Sequence, residues 1–596
     1  MLLRKSVFAL VALVLCLAAL QQSPGAAPET PTAAIDKTKT LGGKKPAGFD
    51  TLQMHYHEDP DYINPLLASD TVSQDFFRWV YEPLAEPDYH NPDVMAPRLA
   101  EKWEFNEKTL EYTIHLRKGV KWHPMKLPNG KMLDAKEFTA RDVKFTFDCI
   151  LNSNILAAHH RSYYEDPEAT DASQKYKIKV TVVDNYTVKI KWNKPYFLAE
   201  MYSLYIEMIP RHVFSVDENG KPISFDFGSK EFANGFNTHW ANRQMCGTGP
   251  MQFKSWKQND RVELTRFSDY WGAPFYFSDA VFRSVSNTNT ARQMVLNNEL
   301  DWVIIPEKDL FLELKKHPSV TSGKVKPNEF NYPGFRYIGY NQKREFFKDR
   351  RVRQALAHAM DVDSLIQNVF KGLATRTTGI ALKGSTSYDE SLPEIKFDLD
   401  KARALLDEAG WKDSDNNGVR DKVVDGQKLD ARYDLMIFSE SQAFQTIAEH
   451  IKENGKKVGI DVVVSPAKWA LMLQKLRKKE FDACMLGWAL DWKSDPFQLW
   501  HSSQADVPDS SNHISYKNPE LDKLIDELRV TLDLKKQTVL FHKIHKLIYD
   551  EQPYTFLFSE LRTAAYDARI DEVHNYKIRP CIDAREWTAS KSRAMP

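Results

Sequence analysis

QAFQTIAEHIKENGKKVGIDVVVSPAKWALMLQKLRKKEFDACMLGW, running from Gln442 to Trp488, is the stretch that decides the fold. Ile447 and Ile451 share one face of a first helix, and the β-branched run from Ile460 to Val464 predicts a strand. A second helix is expected over Ala470 to Leu476, and Asp482 to Leu486 reads as a second strand. Helix, strand, helix, strand in that order predicts βαβ units in one lobe, because parallel strands must be joined by a crossover rather than a tight turn.

Outward from this stretch, helices announce themselves through their ends. Thr139 and Asp142 form a capping box ahead of Val143, Phe145 and Phe147. Asp349 precedes a run in which Val352, Leu356, Ala359 and Met360 share a face, and Gly372 stops a following helix near Phe370. Asp398 or Asp400 starts a helix carrying Ala402, Leu405, Leu406 and Ala409, with Gly410 as its stop. Asn518 and Pro519 open a helix through Leu521, Leu524, Ile525 and Leu528, and another through Val539, Leu540, Ile544 and Leu547 ends before Pro553. The C-terminal third is therefore expected to be mostly helical. Strands and helices alternate without a fixed period, which predicts an α/β or α+β architecture rather than a solenoid.

A chain of 596 residues is too long for one core and predicts several domains. Lysine plus arginine equals aspartate plus glutamate at 81 each, so no global field favours nucleic acid or an anionic membrane. At the N-terminus, Arg4 and Lys5 precede an apolar run from Val7 to Leu20, followed by small residues around Ser23 to Ala27. This predicts an export signal over residues 1–27, and hence a periplasmic or extracytoplasmic protein. Cys16 follows bulky Leu15, which disfavours a lipidated cysteine. Residues 28–48, rich in Pro, Thr, Ala, Lys and Gly, read as a flexible leader. Cys149, Cys246, Cys484 and Cys581 are too far apart for a zinc motif, and their spacing fixes no disulfide pairing.

Three blocks in order, LAEKWEF from Leu99, YTIHLRKGVKWH from Tyr112 and FTARDVKFTF ending at Phe147, resemble the family 5 extracellular solute-binding proteins. Those are the periplasmic oligopeptide and dipeptide binders of ABC importers. Further similar blocks are GTGPMQFKSW at Gly247–Trp256, DYWG at Asp269–Gly272, the stretch Tyr337–Asp361, AGW at Ala409–Trp411, VGIDV at Val458–Val462 and GWALDWKSDP at Gly487–Pro496. The resemblance implies two lobes joined by a hinge, an additional small domain, and a ligand enclosed in the cleft. Its implied boundaries are a first lobe over 49–330 with the small domain at roughly 95–200, a second lobe over 331–560, and a C-terminal segment, 561–596, returning to the first lobe. It also implies a monomer without cofactor or enzymatic activity, delivering peptides to membrane permease subunits.

Within the last block, Asp491 stands after the Gly487–Trp488 pair, where the family's aspartate receives the peptide's ammonium group. A carboxylate in a partly dehydrated cleft suits that role, and a ligand without the ammonium would leave it unpaired at a cost of about 2–5 kcal/mol. Trp488 and Trp492 offer large rings to wall the cleft, with Trp488 the stronger candidate. Strand alternation puts both tryptophans on one side and Asp491 on the other, so all three would meet a ligand only around a turn. One departure stands out: dipeptide binders clamp the ligand carboxylate with an arginine ahead of the helix through Ile447, whereas here no arginine or lysine lies between Met436 and Ile451. Peptides longer than two residues are therefore expected. Other members bind haem, nickel complexes, glutathione or oligosaccharides, which is the alternative on the same fold.

His55, His57 and Glu58 have strand-alternating spacing that could suit a metal, but lack further partners. Asp413, Asp415, Asn417 and Gly418 imitate the first half of a calcium loop, yet Val424 stands where its closing glutamate belongs, and a tight turn explains them better. No metal site is expected. A rival class, an exported hydrolase, could pair Asp491 with Asp495, but no G-x-S-x-G or H-E-x-x-H motif occurs. A binding module that reports to a receptor would use the same closure as an importer component.

Overall fold

Strand Tyr554–Asp567, YTFLFSELRTAAYD, joins the two halves of a 12-stranded mixed sheet. In the computed structural model its C-terminal half pairs antiparallel with Trp302–Ile304 and Val325–Asn331, and its N-terminal half with Gly334–Tyr340 and Ala374–Arg376. Residues 49–60, 62–68, 71–166, 175–223, 226–507 and 510–589 are described, all within the unit Gly43–Pro596. The expected export signal and leader lie outside them.

On one side of the long strand the sheet continues through Thr51–Tyr56, Asp279–Ser284 and the hairpin Met251–Lys257/Arg261–Arg266, over a core that includes Leu52, Phe76, Val262 and Trp302. On the other side Gly334–Tyr340 pairs with Ala483–Ala489, which is followed by Arg432–Phe438 and Asp461–Ala467. Arg432–Phe438 runs parallel to both its neighbours. The intervening helices are Gln442–Lys457 and Trp469–Lys478, so the predicted βαβ units are present, with the strands ending a few residues later than the sequence suggests. Separate cores lie on the two faces here: Ile447, Leu435 and Met485 on one, Leu486, Ile525 and Ile544 on the other.

A further four-stranded antiparallel sheet, Ala100–Asn106, Glu111–Leu116, Thr187–Trp192 and Ile178–Asp184, has its own core. EYTIHL alternates half-buried and buried, with Tyr112, Ile114 and Leu116 inward, and helix Ala140–Leu151 adds Val143, Phe147 and Ile150 to that core. Asp142 accepts the Thr139 backbone N–H at 2.9 Å, as the capping box requires.

The other predicted caps are present: Asp349, Asp398 and Asn518 each accept a backbone N–H in the first turn of the helix that follows. The C-terminal third is less helical than expected, because Tyr554–Asp567 is the sheet's longest strand. It is buried from Tyr554 to Phe558 without alternation, since it is covered on both faces.

Candidate functional site

Ala483 to Leu486 are buried, and the alternation of Ala483–Ala489 places Trp488 on the face of Cys484 and Leu486. Its ring lies parallel to Tyr337 (centroids 6.5 Å, 5°) and to His513 (5.9 Å, 12°), and its Nε1 donates to Tyr554 Oη at 3.4 Å. Burial, then the charge of Lys479, lowers His513 to about 4, so this ring is neutral at pH 7. The strand ends at Ala489; Leu490 N–H donates to Pro333 O at 2.9 Å, and the chain bends at Trp492 and Lys493.

Trp488 and Asp491 both line one cavity of about 850 Å³, within the roughly 300–1,000 Å³ usual for small-ligand sites. Trp492 does not line it; the ring packs partly buried on the core beneath, with its Nε1 enclosed and unpartnered. Another part of the wall carries Lys177 and Tyr163, Tyr196 and Tyr202, the tyrosines packed with the core of the four-stranded sheet. Tyr163 and Tyr202 stack at 4.1 Å and 20°, a flat aromatic surface opposite Trp488. Burial, then the Asp491 carboxylate, raises the Tyr163 hydroxyl. Burial, then Arg529, lowers Lys177 to about 8.

Every charge on the segment after the strand has a partner. Asp491 Oδ1 accepts from Arg579 Nη2 at 2.7 Å. Lys493 Nζ lies 3.1 Å from Asp93. Asp495 accepts from Arg529 Nε at 3.0 Å and from Tyr196 Oη at 3.1 Å, and the Arg529 guanidinium covers Phe497 at 4.1 Å. Asp491 and Asp495 thus face separate guanidinium groups rather than forming an acid and base pair.

Arg579, Lys177 and the three tyrosines escape sequence reasoning. The Tyr163–Tyr164 doublet is the one local hint of an aromatic wall; Arg579 lies 88 positions from Asp491 with no pattern around it. At the missing clamp, the start of helix Gln442–Lys457 does receive a cation, from elsewhere: Arg336 lies 5.2 Å over the Phe444 ring, its Nε 2.6 Å from Glu560.

The metal-like constellations are otherwise engaged. His55 Nε2 contacts Val285 O at 2.9 Å, and the strand ends at Tyr56, so His57 does not share its alternation. Asp413 accepts the backbone N–H groups of Asn417 and Gly418 at 3.0 Å each, forming the expected tight turn. Asp413, Asp415 and Asp421 bring carboxylate oxygens within 4.8 Å of one another; the Lys428 ammonium contacts Asp415 and lies 3.5 Å from Asp421. The four cysteines are buried free thiols.

The family model of bacterial extracellular solute-binding proteins, family 5 (middle), matches residues 94–508. The chain is 26% identical over 562 residues to the oligopeptide-binding protein AppA of Bacillus subtilis, covering 93% of this chain and 94% of AppA. It is 25% identical over 532 residues to the dipeptide-binding protein of Escherichia coli (87% and 91%), and 25% identical over 561 residues to heme-binding protein A of Haemophilus influenzae (92% and 93%). The structure of B. subtilis AppA in complex with a nonapeptide superposes with a TM-score of 0.69 at 25% identity, covering 91% of this chain and 99% of that one. The match of the family model over most of the chain, and of the two-lobed fold over nearly all the described residues, establish that the protein belongs to the family 5 bacterial extracellular solute-binding proteins.

Proposed function

We propose that this protein is the exported substrate-binding component of an ABC importer, that it acts as a monomer, and that it carries peptides of three or more residues to the membrane permease without chemical change. The observation that carries the reading is the cavity itself: Trp488 and Asp491 at the end of one strand share its wall with stacked tyrosines packed on the core of the four-stranded sheet. Asp491 supplies a carboxylate for the peptide's ammonium group, and Trp488 a flat wall for its first side chains. Enclosure between two walls from different parts of the chain means that a ligand is bound by what both contribute, so it favours the closed arrangement by its contacts there. Flat aromatic walls and pockets large enough to retain water tolerate varied side chains. No described helix is long and apolar enough to cross a membrane, which accords with delivery to a separate permease.

Native mass spectrometry of the mature protein, followed by denaturing release of what co-purifies, tests this. A ladder of short peptides is expected. One defined haem, metal complex or sugar would keep the fold and overturn the substrate.

A further inference from the structure

The loop that carries Arg579 is built to hold a charge in place. Tyr576 N–H donates to Cys581 O at 2.7 Å, and Cys581 N–H donates back to Ile578 O at 2.7 Å, closing a tight turn with Arg579 near its tip. Tyr576, Ile578 and Cys581 are buried, Cys581 in the same core as Leu52 and Trp302. Tyr576 also packs on Tyr89 at 5.1 Å and hydrogen-bonds Glu586. Arg579 is therefore anchored to the core on one side of the long strand, while Asp491 follows a strand on the other side. Their 2.7 Å contact ties the segment after one strand to the core on the other side of the long strand, and Lys493 with Asp93 makes a second charged contact two residues on.

We propose that Arg579 is a specificity-determining residue: by standing against Asp491 it neutralises the ammonium-receiving carboxylate, so the site accepts peptides with blocked as well as free N-termini. This rests on the peptide reading above and on Asp491 meeting the ligand's first residue. A lone carboxylate discriminates strongly, because a ligand without an ammonium leaves it desolvated and unpaired. Here that penalty is already relieved by a cation of the protein. A carboxylate has room for about four hydrogen bonds, so an incoming ammonium can share Asp491, but it meets a pair of zero net charge rather than a full negative charge. The guanidinium keeps further N–H groups that an acetyl carbonyl can use. Discrimination by charge is what the pair removes.

The test uses four-residue peptides with randomised positions, offered in equal amounts as free amines and N-acetyl forms, with the bound fraction read by mass spectrometry. The wild type is compared with Arg579→Met, Asp491→Asn and the double variant. The net charge at the pair is zero in the wild type and the double variant, negative in Arg579→Met and positive in Asp491→Asn. The free-to-acetyl ratio should follow that order. It should rise about tenfold in Arg579→Met, fall about tenfold in Asp491→Asn, and return to within about threefold of the wild type in the double variant; a tenfold change corresponds to 1.4 kcal/mol. A purely structural role for Arg579 would lower both forms together and leave the ratio unmoved, which overturns the inference while the peptide reading stands. Should Arg579→Met fail to fold, Asp491→Asn decides alone: an unchanged ratio overturns the proposal. If the wild type retains no peptide of either form, the peptide reading itself fails and this inference falls with it.

Discussion

Gly334→Ala tests whether the ligand wall and the hinge are mechanically one unit. Gly334 opens the strand that lies antiparallel beside the N-terminal half of Tyr554–Asp567, and it pairs with Ala489 at the lip of the cavity. A Cβ there would lie 2.4 Å from the carbonyl oxygen of Trp488 and 3.3 Å from Ala489 Cα. Both are backbone atoms, so no side chain can swing aside; the strands must part by roughly 1 Å, an overpacking that costs about 1–3 kcal/mol. The movement falls on Trp488 O and on the neighbouring Leu490–Pro333 hydrogen bond, whose length is 2.9 Å. Asp491 is the next residue. Stability should drop by that amount in urea denaturation, and peptide affinity by about tenfold in calorimetry, equivalent to 1.4 kcal/mol. Gly487→Ala is the milder comparison: its Cβ would meet Arg336 Nη1 at 2.8 Å and the Phe335 carbonyl oxygen at 3.0 Å, a shallower intrusion on the backbone than the 2.4 Å at Gly334, so both losses should be smaller. A Gly334→Ala protein that loses stability yet binds as before would refute the coupling of Trp488 and Asp491 to the strand that Gly334 opens.

Other outcomes follow from single groups. Asp491→Ala should weaken free-amino peptides by at least about tenfold while N-acetylated ones lose little; equal loss would end its ammonium role. Calorimetry should find peptides of three or more residues bound better than dipeptides, since the dipeptide clamp is missing and Arg336 is engaged by Glu560. Lys177, at about 8, loses its charge as pH rises from 7 to 9, so affinity for acidic peptides should fall over that window and the fall should vanish in Lys177→Gln. Burial raises Asp301 from 3.8 to about 7 against the help of Gln53 N–H and Arg569, and its side chain is 3% exposed. The folded state then holds a proton that the unfolded chain releases between about pH 4 and 7, so this group lowers stability as pH rises through that window, by about 4 kcal/mol in all. Asp301→Asn should flatten that part of the urea-midpoint profile; an unchanged slope would place the titration elsewhere.

Helix ends are legible in this sequence because capping is local: Asp349, Asp398 and Asn518 accept N–H groups two or three residues away, and the residues that announce the helix are those that start it. The βαβ stretch is legible for a related reason, since each element has its own period. Tyr554–Asp567 is not, because its burial is set by what crosses it. Five consecutive buried residues give way to half-buried and exposed ones over Ser559–Arg562, between the end of pairing with Gly334–Tyr340 at Phe558 and the start of pairing with Val325–Asn331 at Leu561. The site divides the same way. Trp488 and Asp491 sit in one block with a recognisable neighbourhood, whereas Tyr163 and Tyr202 reach the cavity, and Arg579 reaches Asp491, from distant parts of the sequence with no local pattern.

What the sequence conceals is thus what two strands share. Val325–Asn331 and Gly334–Tyr340 are separated by two residues, yet pair with opposite halves of one continuous partner, whose Ser559 Oγ donates to Gly334 O at 2.6 Å. A rotation between the lobes must therefore bend both crossing segments at the same level. The cavity lip lies at that level, through Gly334 paired with Ala489 and Pro333 bonded to Leu490. A ligand bound as proposed, between Trp488 and the stacked tyrosines, would grip the structure next to the level at which such a rotation bends it. There a small displacement at the site corresponds to a large one at the outer faces of the lobes, which is the geometry a carrier needs if a partner is to distinguish its loaded from its empty state.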